Sequence, residues 1–126
     1  MSTLEIGKFG EESATVYLKK NGYRIVDRNV HVSHNEIDII ARDRSYLIFV
    51  EVKTRSTDST LYSDFGTPAS AVTRAKRQRT VEAARKYLAT TKLSKLQPRF
   101  DVIEVYVDKN ERKVININHI INAFGA

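Results

Sequence analysis

Cysteine is absent from the 126-residue chain, and proline and glycine are scarce, at two and five residues. Without cysteine there is no disulfide framework, no zinc–thiolate site and no thiol nucleophile. So little proline and glycine leaves no room for a disordered linker of any length. Long apolar runs are missing too. The longest, Tyr46 to Val50, falls far short of the ~20 residues that cross a bilayer. The opening "MSTLEIGKFG" lacks the basic-then-apolar order of an export signal, so the expected address is cytoplasmic, away from any membrane.

What remains is enough for one compact core and too little for two, so a single domain over residues 1–126 is expected. Lys and Arg number 21 against 15 Asp and Glu, a formal charge of +6. The excess is uneven. Arg74, Lys76, Arg77, Arg79, Arg85, Lys86, Lys92 and Lys95 have Glu82 as their one acidic companion. Such a stripe suits a polyanion, and it equally suits a solvated helix face. Tyr87 alone interleaves it, so no stacking platform for single strands is indicated.

Periodicity supplies the elements. "GEESATVYLKKNGY" reads as a helix with Ala14, Tyr17 and Leu18 on its apolar stripe, closed by Gly22. "YRIVDRNV" reads as a strand. Asn35 to Thr54 reads as a hairpin turning near Asp43–Ser45, and Arg55 to Pro68 as a long polar loop. Thr67 to Ala89 is a helix with Pro68 near its start and a stripe of Thr80, Val81, Ala84, Tyr87 and Leu88. Phe100–Val107 and Arg112–Ile117 are strands, and "HIINAF" is a closing helical turn. The order α-β-β-β-α-β-β-α predicts an α/β domain, a mixed central sheet flanked by helices.

The hairpin carries charge where a core strand should not. Asp38 shares a face with Ile40, and Glu51 and Lys53 share one with Leu47 and Phe49. The register that keeps apolar beside apolar pairs Ile40 with Phe49, and so sets Asp38 opposite Glu51. Two carboxylates ~5 Å apart at Cβ repel unless something neutralises them. Glu11 falls on the same helical stripe as Ala14 and Leu18 and adds a third. Clustered carboxylates without Cys or His suit Mg²⁺ or Mn²⁺, and Lys53 could orient water or meet phosphate in phosphodiester hydrolysis. The spacing also fits a solvated Glu-x-Lys pair and a Glu11 favoured by the helix dipole. His31, His34 and His119 lack ligand spacing and read as surface or turn residues. Arg99 and Asp101 read as a structural ion pair. Lys76, bordering the second helix's stripe, is placed either to meet phosphate or to reach the sheet.

Taken in order, "GEESATVYL", "NEIDIIARD", "LIFVEVKTR", "AVTRAKRQRTVEAARKYL" and "RFDVIEV" closely resemble the YraN-like family of uncharacterised bacterial proteins, from about Gly7 to Phe124. That family is similar to the PD-(D/E)XK nuclease superfamily and to archaeal Holliday-junction resolvases. The resemblance implies a restriction-endonuclease-like core. It maps the superfamily's acidic residue and E-x-K pair onto Asp38, Glu51 and Lys53, and its helical glutamate onto Glu11. Asn35 stands where the family usually has glycine. The expected activity is Mg²⁺- or Mn²⁺-dependent cleavage of structured or double-stranded DNA, with Asp38, Glu51 and Glu11 holding the metal. Arg74, Lys76, Arg77 and Arg79 are the expected nucleic-acid contacts. The alternatives are a non-catalytic nucleic-acid-binding module of the same fold and a structural partner in a DNA-processing complex. A homodimer stays open.

Overall fold

The computed structural model describes residues 1–57, 73–93 and 95–125. The elements are α1 (Thr3–Lys20), β1 (Arg24–Val32), β2 (Asn35–Arg42), β3 (Tyr46–Thr57), α2 (Arg74–Thr90), β4 (Gln97–Asp108) and β5 (Lys113–Phe124). The five strands form one sheet in the order β1-β2-β3-β4-β5. β3 and β4 run parallel, and the other neighbours are antiparallel. The helices cover opposite faces, so the expected mixed sheet flanked by helices stands. Among the described residues no helix is long and apolar enough to cross a membrane.

α1 starts earlier than periodicity alone indicates. A capping box sets its first turn: Ser2 Oγ accepts from the Glu5 N–H and the Glu5 carboxylate accepts from the Ser2 N–H. The helix ends where Gly22, at φ +89°, lets the chain turn and the Tyr23 N–H reaches Leu18 O. Ala14 and Leu18 of α1 pack on Ile39, Ala41, Ile48, Val50 and Ile103. On the other face Ala83 and Ala84 of α2 meet Ile40, Leu47, Phe49 and Phe100. β3 and β4 are near-continuous apolar runs because helices cover both of their faces.

Three expectations need correction. The closing helical turn at "HIINAF" is the last part of β5. Ile120 pairs with Val102 and Phe124 with Phe100, so four residues of β5 span two of β4. Asn122, at φ 56°, sits in this irregularity. The extra residues give Ile120, Ile121 and Phe124 a spacing that mimics a helix. The loop expected from Arg55 does not start there, because Arg55 to Thr57 pair with Tyr106 to Asp108 and extend β3; the rest of that expectation lies outside the described residues. The start expected for α2 at Thr67 lies outside the described residues, and within them the helix follows an N-cap at Thr73. His119 is no surface residue: its ring is almost fully buried and its Nε2 lies 2.7 Å from Asp101 Oδ2.

Gly10 fixes how closely α1 approaches β3. A Cβ at Gly10 would overlap the Thr54 side chain. Gly10→Ala should therefore lower stability by about 1–3 kcal/mol despite alanine's better helix propensity. Adding Thr54→Ala should recover part of that loss in a double-mutant cycle read by chemical denaturation. Additive losses would show that the two positions do not meet.

Candidate active site

β2 and β3 pair from Arg42–Leu47 to Ile39–Val50, with Ile40 opposite Phe49 as the apolar pattern requires. One step further, the Val52 N–H donates to Asp38 Oδ2 at 2.8 Å. A carboxylate thus takes a backbone donor that a neighbouring strand would otherwise satisfy. Beside this junction lies a cavity of about 350 Å³ lined by Glu11, Asp38 and Glu51, with Val52, Thr54 and Ser56 of β3 and Thr3, Ile6 and Gly7 of α1. The structure brings the three carboxylates anticipated from the sequence to one place.

Each is held differently. Glu51 is only 7% exposed, and its Oε1 lies 2.8 Å from Lys76 Nζ and 3.4 Å from Lys53 Nζ. Lys53 does not line the cavity; it reaches Glu51 along β3. Glu11 Oε2 accepts from Asn29 Nδ2 at 3.1 Å, and the same amide donates to Glu36 Oε1 at 3.1 Å. Asn29 takes a left-handed backbone, φ 50°, inside β1. Its one sequence signal was a poor strand former in the middle of a strand. Burial, then the charge of Glu51, pushes the Asp38 carboxyl up to about 7, against the Val52 hydrogen bond and Lys76; Glu11 adds to the rise.

These donors are all carboxylates, which suit a hard divalent cation. Among the described residues no three Asp, Glu or His side chains are already gathered as a ligand cluster. The residues fit Mg²⁺ or Mn²⁺ in chemistry: Asp38 and Glu51 would hold it, with Glu11 on the same cavity wall. In this structure the Lys76 and Lys53 ammonium groups neutralise Glu51 instead.

The four expected nucleic-acid contacts separate. Lys76 joins the carboxylates, whereas Arg74 and Arg77 line a groove of about 580 Å³ with Arg85 and Phe124, and Arg79 is exposed outside it. The Arg77 guanidinium lies 5.8 Å above the Phe124 ring. On the opposite face of the sheet, Arg99 grips Asp101 through two hydrogen bonds, at 3.0 and 2.8 Å. That is the anticipated ion pair, extended by His119 and by Tyr17, whose hydroxyl is 3.0 Å from His119 Nδ1. Burial opposes ionisation of Asp101, but His119, Arg99 and the Asn122 N–H outweigh it and hold the carboxyl below its ordinary value.

The raised Asp38 value has a signed consequence. Between an ordinary value of 3.8 and about 7, the folded chain binds a proton that the unfolded chain has released. Stability from this group therefore falls as pH rises through that window, and the full penalty is present above about pH 7. Without divalent ions, Asp38→Asn should gain melting temperature relative to the native chain between pH 5 and pH 8. A gap that moves the other way would mean that ionised Asp38 is stabilising.

A family model described as "Uncharacterised protein family UPF0102" matches residues 10–105. Similar proteins include UPF0102 proteins of Caldanaerobacter subterraneus, 41% identical over 94% of this chain and 93% of theirs, and of Syntrophotalea carbinolica, 44% identical over 96% and 92%. Another, from Caldicellulosiruptor saccharolyticus, is 42% identical over 98% of this chain and 100% of its own. Among solved structures, an fdxN element excision controlling factor protein from Anabaena variabilis is similar at TM-score 0.41 and 16% identity, over 87% of this chain and 98% of that one. An XisH family protein from Nostoc punctiforme is similar at 0.41 and 14%, over 86% and 98%. Likeness at that level bears on neither site nor activity. The sequence matches are another matter, since they run nearly end to end on both sides: the chain belongs to the UPF0102 family.

Proposed function

We infer that the protein is a metal-dependent endonuclease acting on structured or double-stranded DNA. The observation that carries this reading is the meeting of Glu11, Asp38 and Glu51 at one cavity, with two lysines on Glu51 and an arginine-lined groove on the same helix as one of them. Burying like charges together is costly, and a core under selection for stability alone has no use for it. The chemistry a bound Mg²⁺ or Mn²⁺ supplies is activation of water and neutralisation of charge on the phosphoryl oxygens.

This chain's own groups do the rest. Asp38, whose proton is held up to about pH 7, must release it to act as a ligand, so ion uptake should strengthen as pH rises through that value. Lys53 is partly exposed and stands 3.4 Å from Glu51, placed to donate to a phosphate oxygen or an attacking water. Lys76 can do the same from the first turn of α2. Arg74 and Arg77 supply donors for backbone phosphates beside the reacting one.

A second reading is favoured by one distance. With Lys76 Nζ at 2.8 Å, Glu51 is already neutralised, as a non-catalytic nucleic-acid-binding module would leave it. Calorimetry with Mn²⁺ separates the two, together with a cleavage screen over duplex, nicked, branched and single-stranded DNA. The nuclease should bind Mn²⁺ and cut at least one substrate. Asp38→Asn and Glu51→Gln should lose cutting by about 100-fold or more while retaining DNA binding, and Glu51→Gln should lose the heat of Mn²⁺ binding. Binding of DNA with neither Mn²⁺ uptake nor cleavage would establish the module instead.

A further inference from the structure

Glu104 is a carboxylate that the chemistry above does not use, yet it is 0% exposed. It stands on β4 beside Lys53, since the parallel register pairs Lys53 with Glu104 and Arg55 with Tyr106. Its Oε2 accepts from Arg55 Nε at 3.3 Å, and its Oε1 accepts from the Tyr106 hydroxyl. Arg55 itself is 30% exposed, so one edge of its guanidinium meets a buried anion while the group reaches the surface.

A buried ion pair is weak support for stability, because apolar groups of the same volume do as well or better. What such a pair does supply is a fixed direction for the guanidinium. Strand alternation then matters. Glu51, Lys53 and Arg55 project from the same face of β3, two residues apart each time. Two residues of strand advance about 6.6 Å. One strand of duplex carries a charge per roughly 3.4 Å of axis, and the backbone's winding path between successive phosphates is longer than that. The row therefore has the spacing of consecutive phosphates.

We propose that Arg55, oriented by buried Glu104 and Tyr106, is a binding site for the backbone phosphate neighbouring the one handled at Glu51 and Lys53. The ligand class is a nucleic-acid phosphodiester, and the assignment rests on the nucleic-acid reading above. Arg55 is suited to it: Nε is occupied by Glu104, and the Nη edge offers paired donors to a phosphate.

The test uses the full chain in EDTA, with a fluorescein-labelled duplex and a four-way junction, by anisotropy between 50 and 200 mM salt. Arg55→Met combined with Glu104→Gln removes both charges, leaves net charge unchanged and strands no buried ion. Its affinity should fall about tenfold or more, and its slope of log K against log salt should become shallower by up to about 0.9, one phosphate's share. Native affinity and slope in this variant would make the pair structural and overturn the proposal. Should the variant fail to fold, Arg55→Lys carries the test. Lysine keeps the charge but lacks the planar fork that gives Nε to Glu104 and the Nη edge to a phosphate, so affinity should drop several-fold with the slope retained, and native affinity would overturn the proposal. If the native chain shows no salt-dependent binding to either probe, the nucleic-acid reading itself fails, and this site with it. That result is distinct from a native chain that binds and a variant that binds equally well.

Discussion

The hydrogen bond from the Val52 N–H to Asp38 Oδ2 is the contact on which the rest of the site depends. Where two strands stop pairing, their backbone donors need other partners, and burial makes an unmet one costly. Asp38 meets that need with a carboxylate. The strands can then part beside a cavity without losing the register fixed at Ile39–Val50. The same solution brings a second carboxylate, Glu51, to the opening, so backbone satisfaction and charge clustering have one cause.

Three buried carboxylates, Asp101, Glu104 and Glu51, are each answered by basic side chains. Asp101 is answered by Arg99 and His119 on the α1 face. Glu104 is answered by Arg55 on the other face, and Glu51 by Lys76 and Lys53. β4 supplies two of the acids three residues apart, and alternation sends them to opposite faces. Asp101 ties β5 and α1 to the sheet through His119 and Tyr17, a fully bonded network of the kind that specifies packing. Glu51 differs in having two lysine partners, Lys76 and Lys53, both partly exposed and so able to exchange it for another anion.

The hairpin and its register were legible because the strand period is two and only one alignment keeps Ile40 beside Phe49. The meeting of Glu11, Asp38 and Glu51 followed from that register and from helical spacing. The first turns of α1 were hidden by Gly7 and Gly10, although the Ser2–Glu5 capping box was there to be read. The end of β5 was misread because an irregularity at Asn122 imitates helical spacing over three apolar residues. Glu104 escaped notice, and His119 was read as a surface or turn residue, for another reason. An acid in an apolar strand, or a lone histidine, says nothing of its partner when that partner lies 49 or 18 residues away.

The first turn of α2 holds Arg74, Lys76 and Arg77 and no acid. Cations at that end oppose the helix dipole, so the arrangement needs negative charge from outside the helix. Glu51 provides it for Lys76, at 2.8 Å. The basic groove and the carboxylate cavity are therefore not independent features placed side by side. On the proposed reading, a cation that took Glu51 would leave Lys76 short of a counter-charge at an already positive helix end, and a phosphate arriving along the groove would supply one. Neutralising the carboxylates and binding a polyanion would then favour each other through a single ammonium group.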